Sequence, residues 1–140
     1  MVSPDYVVGF VDGEGCFCVP ISAHKTLLQR REVRPTFEIE LREDDLPILQ
    51  EIHRVLGCGK IYRLEFKRYA KWKPHAKLKV SKMSELQNIL IPFFDRHPLH
   101  AKRRKSFAIF KRIVKMVAQK KHLTKNGLKT ITRLRNQMNP

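Results

Sequence analysis

The sequence predicts an α+β fold, one antiparallel sheet with helices packed on one face, in the order αββαββα with further C-terminal helices. Three observations predict it. Apolar spacing switches repeatedly between the helical period and strict alternation. The alternating segments come in hairpin-sized pairs separated by helices. The 140 residues are 42% hydrophobic, which is enough for one core and too little for two ordinary domains. A single domain over 1–140 is therefore expected, with a core over 1–121 and a basic C-terminal helix over 122–140.

Ser3 ahead of Pro4 marks a helix start, a side-chain cap followed by proline at the first helical position. That helix carries Val7, Val8, Gly9, Phe10 and Val11 and ends at the glycines 13 and 15; it is nearly all apolar and must be buried. Residues 16–23 read as a strand, leading to a loop around 25–31. Val33, Pro35, Phe37, Ile39 and Leu41 then alternate with Arg34, Thr36, Glu38, Glu40 and Arg42, so one face meets a core and the other solvent or a partner. Pro35 cannot donate to a ladder, which suits an edge or the start of a strand.

Asp44 or Asp45 caps the next helix, with Pro47 in its first turn, Ile48, Leu49, Ile52, Val55 and Leu56 as its buried stripe, and Gly57 at its end. A strand from residue 60 to about 66 and a basic loop around 68–71 follow. The next strand sets Lys73, His75, Lys77 and Lys79 against Ala76, Leu78 and Val80. Ser81 or Ser84 opens a helix with Met83, Leu86, Leu90 and Phe93 on one side, bent or ended near Pro92. A long helix over about 102–119 buries Phe107, Phe110, Ile113, Val114 and Val117. Thr124 caps a last helix with Leu128, Ile131, Leu134 and Met138 inside and Lys125, Lys129 and Arg133 outside.

The charge is large and uneven. Lys and Arg total 29 against 13 Asp and Glu, a formal net charge of +16, and residues 96–140 hold no acid at all. Such a field attracts a polyanion, and phosphate backbones are the usual target. A ribosomal-type basic protein and a nucleic-acid enzyme share this composition. No apolar run is long enough to span a bilayer and the start lacks a signal-peptide layout, so an intracellular protein without a membrane partner is expected. Cys16, Cys18 and Cys58 are expected as reduced, buried thiols, and the six histidines do not join them at zinc spacing.

The chemistry concentrates in residues 6–17. Gly9 and Gly13 lie four apart on one face of an apolar helix, where another backbone can come close. Asp12 and Glu14 sit at its C-terminal end, where the helix dipole disfavours anions. Carboxylates placed against a local rule mark a functional site, and a divalent cation would compensate their charge.

This stretch resembles the LAGLIDADG motif of homing endonucleases, with its small-residue packing face, apolar filler and acid-glycine-acid ending. Phe37-Glu38-Ile39-Glu40-Leu41, Asp45-Leu46-Pro47-Ile48-Leu49, Leu56-Gly57-Cys58-Gly59-Lys60-Ile61-Tyr62 and Ile91-Pro92-Phe93-Phe94 resemble the core blocks of single-motif members. So do Leu123-Thr124, Asn126-Gly127-Leu128 and the closing Met138-Asn139.

The resemblance implies a site-specific double-strand DNA endonuclease hydrolysing phosphodiesters with magnesium, whose sites manganese or calcium could also occupy. One motif supplies one catalytic acid, so it implies a C2 homodimer joined through the helix of Val7 to Gly13, acting on a pseudo-palindromic duplex. Glu14 becomes the direct metal ligand, the Gly13 carbonyl a second contact, and Asp12 a supporting or capping group. Family members carry a basic residue near the start of the long helix. Arg103 holds the position usually occupied by lysine, beside Lys102. Leu41 stands where some members have glutamine. Base reading is expected from Arg34, Thr36, Glu38, Glu40 and Arg42, from Lys60 and Tyr62, and from Lys73, His75, Lys77 and Lys79. Lys125, Lys129 and Arg133 are expected to grip phosphates. The rival readings are a splicing cofactor that binds its own intron RNA and a DNA-binding module that keeps the fold without catalysis.

Overall fold

The computed structural model of the chain describes residues 1–27, 29–65 and 73–138. Helix α1 (Pro4–Glu14) starts as the Ser-Pro pair dictates, with the Ser3 hydroxyl accepting from the Tyr6 N–H at 3.1 Å. It passes Gly13, ends on Glu14 and turns straight into β1 (Gly15–Cys18). A Cβ on Gly15 would sit 2.7 Å from the Val11 side chain, so this abrupt exit requires glycine.

The first hairpin continues through β2 (Ile21–Ala23), β3 (Arg31–Val33) and β4 (Thr36–Arg42). Each arm reads as one strand in the sequence, and the structure interrupts both beside a proline. Pro20 and Pro35 have no N–H for the ladder. The Arg34 N–H still bonds to the Pro20 carbonyl at 3.1 Å. Register is unchanged across the gap, with Cys18 opposite Thr36 and Ile21 opposite Val33. One hairpin therefore breaks at its prolines without slipping.

A 3-10 turn over Glu43–Asp45 leads into α2 (Leu46–Leu56). The expected aspartate cap is absent: Asp45 makes no capping bond, and Asp44 pairs instead with Arg42 at 2.8 Å. Gly57 ends the helix in the left-handed region at φ 77°. Strands β5 (Lys60–Leu64) and β6 (His75–Val80) complete a four-stranded antiparallel sheet in the order β1-β4-β6-β5. The expected strand end at Phe66, the basic loop 68–71 and Asn139 lie outside the described residues.

The next helical segment is continuous through α3 (Met83–Glu85), a π-helical turn over Leu86–Leu90 and α4 (Ile91–Arg96). Pro92 accounts for the π turn, because its ring would clash with a carbonyl four residues back in a regular helix. The Ile91 N–H reaches five back, to Leu86. Helix α5 (Arg103–Ala118) and helix α6 (Lys125–Asn136) follow, the latter capped by the Thr124 hydroxyl on the Gly127 N–H at 3.0 Å.

Helices cover one face of the sheet. Phe17 of β1 packs its ring 5.2–5.8 Å from those of Phe37, Phe94, Phe107 and Phe110, joining two strands to α4 and α5. Such ring pairs contribute about 0.5–1.5 kcal/mol each beyond buried area. Ile39, Ala76, Leu78 and Val80 point to the same core as expected, and Leu41 is packed at its margin. Among the described residues, no helix is long and apolar enough to cross a membrane.

Candidate functional site

Glu14 stands exposed at the last position of α1, and no hydrogen bond or ion pair among the described residues engages its carboxylate. Asp12, expected as a supporting or capping group, is engaged within the chain. Its oxygens accept from the backbone N–H groups of His100 at 3.0 Å and Ala101 at 3.1 Å. The physical reason is local: loop N–H groups ahead of α5 need an acceptor, and an acid one turn from the loop supplies it. These bonds tie the start of α5 to the end of α1. Arg103, the first residue of α5, then donates through Nε to the Gly15 carbonyl, one residue beyond Glu14. Glu14, Gly15 and Arg103 are thus brought together. Lys102 is exposed at the helix start.

The opposite face of the sheet carries the polar side chains in ordered rows. Strand pairing places Cys16, Glu38, Lys79 and Lys60 in one row, Glu40, Lys77 and Tyr62 in the next, and Arg42 with His75 in a third. Lys77 Nζ lies 2.8 Å from Glu38 and 3.7 Å from Glu40, and His75 Nδ1 lies 2.9 Å from Glu40. Partial burial raises the Glu38 carboxyl, but hydrogen bonds from Lys77 and Cys18 outweigh it and hold the group below its ordinary range. The bond to Glu38 in turn raises Lys77. The two acids of this face are therefore braced by Lys77 and His75 of the neighbouring strand.

Arg34 lies on the exposed side at the proline break and pairs with Glu32 at 2.6 Å. Lys73 is exposed just ahead of β6. Thr36 departs from expectation: it is only 3% exposed, with its hydroxyl 3.3 Å from Glu38, so it supports that carboxylate rather than facing outward. Lys125, Lys129 and Arg133 are exposed on α6 and line an open groove with Gln29 from the loop between β2 and β3. The sequence reading missed Cys16 and Cys18, which share the polar face. Their alternation with the buried Phe17 and Val19 was the available signal.

The outer side of α1 is open. Val7, Val8 and Val11 face the core, whereas a Cβ built on Gly9 or Gly13 would meet nothing within 4 Å. Tyr6, 45% exposed, sits 6.1 Å from the Phe10 ring on this helix. A flat stripe flanked by aromatics leaves room for a second backbone. Within one chain, the described residues hold no cluster of three or more His, Cys, Asp or Glu able to bind a metal ion.

Comparison with known proteins meets this geometry. The LAGLIDADG endonuclease family matches residues 7–114. The chain is 30% identical over 139 residues to a probable intron-encoded endonuclease 2 of Neurospora crassa, covering 99% of this chain and 29% of that protein. It is 30% identical to homing endonuclease I-ApeII of Aeropyrum pernix, covering 84% of this chain and 65% of that one. The chain thus spans less than two thirds of the length of these curated relatives. Among solved structures, the homing endonuclease I-TnaI matches with TM-score 0.87 and 35% identity, over 99% of this chain and 89% of that chain. I-LtrWI, a LAGLIDADG homing endonuclease bound to target DNA, matches with TM-score 0.88 and 30% identity, over 99% of this chain and 44% of that chain.

Proposed function

The chain belongs to the LAGLIDADG endonuclease family, and from that premise we propose that it is a sequence-specific, divalent-metal-dependent endonuclease of double-stranded DNA, working as a homodimer at a long pseudo-palindromic site. The observation that carries this reading is Glu14, an exposed acid without a partner among the described residues, at the foot of a helix whose glycine face is open. The share of each solved structure that the chain covers, 89% of I-TnaI but 44% of I-LtrWI, agrees with one protomer forming half of a working unit.

The polar rows of the sheet face DNA in this reading. Arg42, Lys60, Lys73, Lys79 and Arg34 meet phosphates or guanine acceptors, Tyr62 contacts a base edge, and Glu38 and Glu40 accept from cytosine amino groups. Lys77 and His75 fix those two acids in place beforehand, which reduces the entropy lost on reading a base. Lys125, Lys129 and Arg133 hold backbone phosphates outside the sheet.

The donor set suits magnesium, with manganese or calcium as substitutes, because the Glu14 carboxylate and the Gly13 carbonyl are hard oxygen ligands. When bound, the metal supplies a more nucleophilic water and charge stabilisation at the scissile phosphate. Two chains joined through α1 bring two copies of Glu14 to the centre of the duplex, one for each strand. Arg103 is positioned to place positive charge beside the reacting phosphate, held there by Gly15 and, through the loop, by Asp12. Lys102 adds to the local field.

The test is cleavage of a randomised duplex library with magnesium, followed by sequencing of the cut ends. Staggered breaks at one long, roughly two-fold-symmetric sequence are expected, and a chelator should abolish them. A dimer that leaves tightly bound duplex intact in magnesium or manganese while promoting splicing of an intron RNA would overturn the reading in favour of a splicing cofactor. Asp12 gives a second expected result. Asp12→Ala should lower stability by about 1–2 kcal/mol through its lost bonds to N–H groups and cut cleavage about 10–100-fold as a supporting residue. The magnesium concentration at half-maximal rate should stay unchanged. A large rise in that concentration would place Asp12 on the metal instead.

A further inference from the structure

Cys16 and Cys18 point from β1 onto the polar face, and their sulfurs lie 2.7 Å apart. Both side chains are partly exposed, whereas Cys58 is buried. Cys16 lies directly across the strand pair from Glu38, the acid paired with Lys77. No function described above uses either thiol. We propose that Cys16 and Cys18 are a reversible dithiol site that a disulfide oxidant such as oxidised glutathione closes into an intramolecular disulfide, on the surface that meets DNA.

Adjacency favours bond formation between the sulfurs over bridging by a metal ion, since the described residues hold no group of three or more His, Cys, Asp or Glu placed to bind one. In the net reaction the two cysteines lose two protons and two electrons as one S–S bond forms. The glutathione S–S bond breaks and its halves take them up, leaving two glutathione thiols. Two steps along a strand advance about 6.6 Å, near the upper limit of the Cα separation that a disulfide spans. Closure therefore pulls β1 into a kink, and a strained bond of this kind is easily reduced again. The kink falls just beyond the Gly15 carbonyl held by Arg103 and across from Glu38 on β4, so it disturbs the catalytic end and the reading face together.

The chemistry of closure stands on the thiols alone, but its effect on DNA rests on the proposed function. The experiment separates the two. The full chain is equilibrated in glutathione buffers of rising oxidised fraction, quenched with acid, denatured and labelled with a maleimide. The three thiols are expected to fall to one in a monomolecular product two hydrogens lighter, and dithiothreitol should restore all three. Cys16→Ser and Cys18→Ser should each keep two labelled thiols under the same oxidant. Three thiols surviving in the parent chain, or crosslinked chains on a non-reducing gel in place of the lighter product, would overturn the dithiol site. In the second arm, mixed-sequence duplex is bound first at low salt and its binding confirmed by mobility shift. Shielding should slow closure by roughly tenfold, because thiol reactivity follows access. Normal closure on bound protein would overturn the placement of the thiols at the DNA surface while leaving the dithiol chemistry intact.

Discussion

Glu14→Gln is expected to reduce double-strand cleavage by at least about a thousandfold, roughly 4 kcal/mol in the barrier, while duplex binding is retained. Glutamine keeps the size and one oxygen of the side chain but removes the charge that would hold a divalent ion. The fold should tolerate it, because the carboxylate is exposed and makes no hydrogen bond or ion pair with a described residue. The C-terminal end of α1 also prefers a neutral side chain, so thermal stability should hold or rise slightly. Binding measured in a chelator should tighten a little as repulsion between acid and phosphate is removed. The check is a cleavage time course beside a mobility-shift titration on one target duplex. Cleavage near the parent rate would place the essential acid elsewhere. Glu38 and Glu40 are poor substitutes, since Lys77 and His75 already engage them.

Most of the fold was legible because its signals are local. Period-two alternation in 33–42 and 73–80 gave the inner and outer faces, and the caps at Ser3 and Thr124 stand where the hydroxyls predict. What failed needed information that is not local. Asp45 has the chemistry of a cap, yet a 3-10 turn and the Arg42–Asp44 pair take its place. Thr36 obeys the alternation and still ends up buried, because alternation assigns a side and not the depth of cover on that side. The same limit applies to the site. Glycine spacing and the position of Glu14 were readable in the motif, whereas the grip of Asp12 on residues 88 and 89 positions away in the chain was not. Nor could the bracing of Glu38 and Glu40 be read before strand register set Lys77 across from Glu40.

Gly9→Leu is expected to separate folding from assembly. Within one chain a Cβ at this position meets nothing within 4 Å, and leucine is favoured over glycine in a helix by nearly 1 kcal/mol. The protomer should therefore fold as well as the parent or slightly better. In the proposed dimer the same side chain falls where two backbones touch. Two-fold symmetry places it there twice, so a single substitution inserts two bulky groups into one contact. Overpacking of this kind costs about 1–3 kcal/mol per site where neighbours can shift. Two sites on a helix pair with little room to shift should weaken self-association by at least about a hundredfold. Sedimentation velocity should then show monomers with normal helical circular dichroism. Double-strand cutting should be lost, since each strand would depend on a Glu14 delivered by a separate chain. Gly9→Ala, a single methyl at the same place, should fall between the two. A Gly9→Leu chain that still sediments as a dimer and cuts both strands would mean that the chains meet elsewhere, and the open stripe of α1 would need another occupant.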